Sequence, residues 1–366
     1  MPEAQAALEL DAPALLKVRL PLPHRLNCFL RLWVLKFLAY VYYAVERFIH
    51  PPPQWTNPTL IKHYSCRPSL PTRIFFPPDY QAGGAPLPLY LNIHGGGFAV
   101  GDPQQDDEFC VMWAKRTGML IVSLDYSKAP VYPFPTAVYD IGAVAEAVLA
   151  DASLPIDKTR VVIGGFSAGA NLALCASQLP GLKGRIKAAL TFYPIVDWSH
   201  PPNVKLERRP YKGGPKDSLE IPSWWFDWAY VSPGQNRRDP LLSPCYARKE
   251  DLPTWIYMIG AQWDVLRLES QEMIHALAGL RGRDQERDFE EGTYKWTLAV
   301  GCSHGFTHHF GAKPEKKLKR EKKCAPIYGE AITWLGKWHY GSMVLKIDRG
   351  PFALTVHVQN LSCYFL

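Results

Sequence analysis

Apolar and polar positions change rhythm along this chain. From Arg25 to His50, Leu26, Phe29, Trp33, Phe37, Tyr40, Ala44 and Phe48 recur every three or four residues. That spacing predicts a long helix with one broad aromatic stripe, stopped by Pro51-Pro52-Pro53. The stripe is expected to cover a hydrophobic pocket or core, with an interfacial membrane helix as the second reading. Arg25, Arg31, Lys36, Glu46 and Arg47 interrupt it. The longest uncharged run, Phe37 to Val45, is shorter than the roughly twenty residues that cross a bilayer, so a spanning helix is not expected.

Further on, short apolar runs alternate with amphipathic stretches. Strands are predicted over 73–76, 87–93, 119–124, 160–164, 187–192, 254–259 and 294–300. Helices are predicted over 105–117, 136–150, 168–178, 266–280 and 327–338. Such alternation favours an α/β fold, a mostly parallel central sheet flanked by helices on both faces. Asp197 to Ser243 breaks the rhythm and carries Trp224, Trp225, Phe226, Trp228 and Tyr230. A long aromatic insertion after a central strand suggests a lid over a pocket. The expected organisation is an N-terminal segment with a cap helix over 1–60 and an α/β domain over 61–340 holding the insertion at about 197–243. A tail over 341–366 has short β-prone pieces and no assignable role.

Composition adds limits. The hydrophobic fraction of 47% and charged fraction of 20% are those of an ordinary soluble globule. Much of the formal charge of +7 is local: Lys313, Lys316, Lys317, Lys319, Arg320, Lys322 and Lys323 cluster together. Without base-stacking aromatics spread over a basic face, this reads as a solvated loop or helix end, and no nucleic-acid partner is expected. Met1 to Leu16 contains Glu3, Glu9 and Asp11 and does not resemble a secretory signal. The eight cysteines show no regular spacing, which suggests reduced thiols and an intracellular, cytoplasmic setting.

The candidate chemistry starts at Val161-Val162-Ile163-Gly164-Gly165-Phe166-Ser167-Ala168-Gly169. A β-branched run enters Gly-x-Ser-x-Gly and small residues open a helix behind it. The turn is too sharp for bulky neighbours, so Gly165 and Gly169 flank a serine whose hydroxyl is pushed above the sheet. A serine nucleophile needs donors for an oxyanion, a base, and an acid to orient the base. His94-Gly95-Gly96-Gly97 follows a strand directly, and with the Ala168 N–H its backbone could surround the oxyanion. His94 is expected to anchor that loop. Asp264 follows an apolar strand and His304 follows the last strand, so both leave strand carboxyl ends, where α/β sheets gather reactive groups. The order Ser167, Asp264, His304 is that of hydrolases built on such sheets. His308 and His309 compete with His304, but no carboxylate or cysteine of metal-ligand spacing accompanies them, so no metal is expected.

These segments resemble the hormone-sensitive-lipase-like family of α/β-hydrolases over about Leu87 to Trp338. The likeness rests on His94-Gly95-Gly96-Gly97-Phe98, Asp125-Tyr126-Ser127-Lys128-Ala129-Pro130 with Phe134-Pro135, and Gly165-Phe166-Ser167-Ala168-Gly169. Asp239-Pro240-Leu241-Leu242-Ser243-Pro244, the Asp264 segment and His304-Gly305-Phe306 complete it. The resemblance implies an oxyanion hole of Gly95, Gly96 and Ala168. It also implies a cap made by the N-terminal helix and the insertion, and hydrolysis of small-molecule esters without a cofactor. Phe166 departs from the family, which usually has an acidic residue before the nucleophile. A dehydratase with the same triad and a non-catalytic small-molecule receptor are the same-fold alternatives; retention of His304 speaks against the receptor.

Overall fold

The computed structural model describes residues 19–211, 213–280, 288–308, 314–340, 346–349 and 354–357. Helix α1 spans Leu22–Ile49, followed by strands β1 (Leu60–His63), β2 (Pro71–Phe75) and β3 (Leu87–Ile93). Then come α2 (Asp107–Thr117), β4 (Leu120–Leu124), α3 (Thr136–Ala150), β5 (Ile156–Phe166), α4 (Ala168–Ala176) and β6 (Ala188–Phe192). The insertion contributes α5 (Pro202–Arg208) and α6 (Pro222–Tyr230). The chain continues through β7 (Trp255–Trp263), α7 (Arg267–Leu277), β8 (Phe289–Glu291), β9 (Tyr294–Ser303) and α8 (Pro314–Tyr340). Within the expected tail, β10 (Lys346–Arg349) and β11 (Leu354–His357) pair antiparallel.

Among the described residues, nine strands form one sheet in the order β1-β2-β4-β3-β5-β6-β7-β9-β8. Pairing is parallel from β4 through β9 and antiparallel at both edges. Both faces are covered, so inner strands are apolar at nearly every position. Leu89, Leu91, Ile93 and Ile163 pack with Val138 and Ile141 of α3 and Leu172 of α4. Tyr90 and Val162 turn the other way, to Phe109 and Trp113 of α2 and Ile327 and Trp334 of α8. The alternate residues of one strand thus serve two cores.

Several expectations shift. The strand expected over 160–164 runs from Ile156 to Phe166, since its outer half is polar and exposed. The helix expected over 327–338 starts at Pro314 and takes in most of the basic run, which forms an exposed helical face. There Lys317 and Arg320 pair with Glu108 at 2.7 and 3.3 Å. Strands β1 and β8, unanticipated, are short and partly polar edges.

The largest correction concerns α1. Every member of the predicted stripe, Leu26, Phe29, Trp33, Phe37, Tyr40, Ala44 and Phe48, is exposed. The helix docks through the face holding buried Leu32 and half-buried Leu35, Lys36 and Tyr43. Hydrogen bonds fix that choice. Lys36 Nζ donates to the carbonyls of Ala99 and Ala129 at 2.7 and 2.9 Å, and Arg47 pairs with Asp102 at 2.9 Å. Over an 18-residue window the mean hydropathy is 1.5, so α1 is long and apolar enough to cross a membrane by those two measures. Helix α6 packs against α1, with Trp228 edge-on to Phe29 at 6.4 Å.

Candidate active site

Four loops leave the same edge of the sheet, at the carboxyl ends of β3, β5, β7 and β9. Strand order reverses at β3, which has β4 on one side and β5 on the other, and a crevice opens at such a switch.

After β5 the chain turns at Ser167 with φ 53° and ψ −115°, then enters α4 at once. This left-handed conformation is one a side chain adopts only under constraint. Its constraint is packing: a Cβ on Gly165 or Gly169 would collide with the Ile93 carbonyl oxygen. The Ser167 N–H donates to the Phe192 carbonyl at 2.9 Å, which ties the turn to β6.

Asp264 and His304 arrive by register. Trp263 of β7 pairs with Ser303 of β9, so the next residue on each strand leaves beside the other. His304 Nδ1 lies 2.8 Å from Asp264 Oδ2, and His304 Nε2 lies 2.9 Å from Ser167 Oγ. With Nδ1 donating to the carboxylate, Nε2 is left to accept the Ser167 hydroxyl. Asp264 is buried, and its Oδ1 accepts the Leu266 N–H at 2.9 Å. Burial works against the charged imidazole, but the charge and hydrogen bond of Asp264, with Asp217 adding to them, outweigh it and raise the His304 pKa above its ordinary value. Structure therefore brings together all three residues singled out as nucleophile, acid and base.

The glycine loop meets this group from the other side. Gly95 passes so close that a Cβ there would lie 3.1 Å from the Phe166 carbonyl oxygen and 3.6 Å from Ser167 Cβ. Gly96 sits at φ +117°, a conformation side chains avoid. Gly95, Gly96 and Ala168 line one cavity with Ser167 and His304. Behind the loop His94 is fully buried, with Nε2 3.1 Å from Asp125 Oδ1 and its ring stacked on Tyr126 at 4.5 Å. That is the anchoring position expected for it. Lys128 Nζ also donates to Asp125 Oδ1, at 2.5 Å. Burial opposes the Asp125 charge, yet bonds from His94 and Lys128 hold its carboxyl well below the usual range.

The cavity, of about 220 Å³, has walls of Phe98, Ile195, Trp198, Leu219, Phe226 and Val265. Trp198, Leu219 and Phe226 come from the insertion, and Tyr43 from α1. Both segments expected to cap the site do border it. They do so with residues outside the aromatic stripe of α1.

Two participants, Asp217 and Asp106, escaped the sequence. Asp217, in the insertion, is buried and accepts the Val265 N–H at 2.6 Å and the Tyr211 hydroxyl at 3.0 Å. Burial, reinforced by the Asp264 charge, pushes its pKa up. Asp106 holds His308 Nε2 at 2.8 Å, so that histidine is engaged away from the Ser167 group. Phe166 fills the family's acidic position with a ring stacked on Phe192 at 4.9 Å and met edge-on by His308 at 4.6 Å. His309 lies outside the described residues. Among those residues no cluster suits a metal ion, and the cysteines form no disulfide.

A family model described as the alpha/beta hydrolase fold matches residues 90–297. The chain belongs to that family. The hormone-sensitive-lipase-like resemblance drawn from its motifs holds. This α/β-hydrolase is 28% identical over 210 residues to an arylesterase of Saccharolobus solfataricus, covering 57% of this chain and 66% of that one. It is 29% identical over 221 residues to the carboxylic ester hydrolase LipN of Mycobacterium tuberculosis, covering 57% and 56%. The chain thus spans just under two thirds, or less, of these curated relatives. Its fold matches EstE1, a thermostable carboxylesterase cloned from a metagenomic library, with a TM-score of 0.59 and 27% identity over 75% of this chain and 88% of that one.

Proposed function

We propose that this α/β-hydrolase cleaves carboxylic esters of apolar small molecules through an acyl-enzyme on Ser167. The observation that carries the reading is the continuous line from Asp264 through His304 to the Ser167 hydroxyl, at 2.8 and 2.9 Å, on the wall of an apolar cavity. Relatives named for ester hydrolysis support it.

His304 Nε2 takes the Ser167 proton as Oγ attacks the ester carbonyl. Backbone N–H groups of Gly95, Gly96 and Ala168 hold the oxyanion in place of water. Asp264 keeps Nδ1 protonated and stabilises the imidazolium. His304 then gives its proton to the departing alcohol, and water, activated by the same imidazole, releases the acid. No step calls on a cofactor. The Trp198, Leu219 and Phe226 wall favours an apolar acyl group or an acylated aromatic or terpenoid alcohol. Deacylating or tailoring such a metabolite is the physiological role that fits.

A chain-length series of p-nitrophenyl esters tests this with wild type and Ser167→Ala. The expected result is turnover by wild type and a loss on the order of 10³-fold or more in the variant. Equal turnover by both would remove Ser167 from the chemistry.

A further inference from the structure

Helix α1 is amphipathic with the usual sides exchanged. Its inward face carries Lys36, Tyr43 and Arg47, bonded to Ala99, Ala129, Gln105 and Asp102. Its outward face presents Leu30, Val34, Phe37, Val41, Val45 and Phe48 to solvent. A contiguous apolar face of this size costs solubility unless something covers it.

Charge indicates what that is. From Leu22 to Val45 there is no acid, and of the three basic side chains Lys36 is turned inward, Arg25 is half-buried, and Arg31 stands exposed beside the apolar face. Glu46, the helix's one carboxylate, is half-buried and lies 3.4 Å from His50 Nδ1. A second copy of the chain docked face to face would cover both copies of Arg31 with no exposed carboxylate on the helix to answer them. Anionic lipid headgroups would answer them. Attachment also sets the orientation. For α1 to span a bilayer, Lys36 would have to leave two carbonyl partners and enter hydrocarbon, which is costly. Gripped at Leu32, Lys36, Tyr43 and Arg47, the helix can only lie flat.

We propose that the outward face of α1 seats this protein on an anionic bilayer surface, helix axis in the membrane plane. Tyr43, on the opposite side of the same helix, borders the Ser167 cavity. Docking therefore holds the cavity close to the acyl-chain region, where apolar esters partition.

Flotation of the full chain with phosphatidylcholine vesicles, with and without phosphatidylglycerol, tests the proposal. Phe37 and Phe48 are 66% and 88% exposed, so Phe37→Glu with Phe48→Glu leaves the fold intact. Wild type is expected to float with the anionic vesicles, less well at high salt or without phosphatidylglycerol. The double variant is expected to lose about tenfold or more of this binding, with an unchanged thermal melt. Ser167→Ala should float as wild type does, so binding is read whether or not the ester-hydrolase reading stands. Wild type remaining unbound, or the double variant floating equally well, overturns the proposal. So does a dimer that the double variant splits without any vesicle binding.

Discussion

Asp217 accepts the backbone N–H of Val265, the residue next to Asp264, at 2.6 Å. A carboxylate from the insertion thus lies beside the one that orients His304, and its charge helps keep that imidazole protonated. Asp217→Asn removes the charge and lowers the His304 pKa. As the base must be neutral to accept the serine proton, the acid limb of kcat/KM should move to lower pH. A pH–rate profile of the variant against wild type reads the shift, and an unmoved acid limb would count against the coupling.

Asp264→Asn keeps the shape of the buried acid but favours the wrong imidazole tautomer. The expected result is a fall in kcat on the order of 10⁴-fold with little change in KM, since the cavity walls are untouched. Steady-state kinetics on a short p-nitrophenyl ester checks both halves.

Asp125 should link acid stability to the glycine loop. Its folded carboxyl holds a proton less tightly than the unfolded one. The stability it supplies is therefore present above about pH 4 and lost as pH falls below that. Asp125→Asn, which leaves Lys128 without its anion, should cost about 3 kcal/mol near neutrality. The variant should also flatten the wild-type decline at acid pH, as followed by thermal melts across a pH series.

Phe166 occupies the place where the family has a carboxylate, and it is packed by Phe109, Phe192 and His308. Phe166→Ala should open a cavity and destabilise by about 3–5 kcal/mol, measured by urea unfolding.

The inner fold and the candidate site were legible in the sequence because strong local signals coincide there. Apolar runs mark β3 through β6, and the glycines around Ser167 and after His94 mark turns that only small residues allow. Asp264 and His304 could be placed at strand ends from the apolar runs before them. What brings them together, the pairing of Trp263 with Ser303, is a long-range register that no local pattern encodes. Asp217 and Asp106 carried no signal, since each becomes interesting only through a distant partner. The orientation of α1 was misread because periodicity shows that a helix has two faces, not which one docks. At α1 the hydrogen bonds of Lys36 and Arg47 decide it.

The central claim is that Ser167 is the one activated alcohol, made so by His304. Intact-mass and peptide mass spectrometry after mild treatment with a fluorophosphonate tests it most directly. A single phosphonyl adduct on Ser167, absent from Ser167→Ala and strongly slowed in His304→Ala, is the predicted result. Labelling at another residue, or equal labelling of the Ser167→Ala protein, would contradict it.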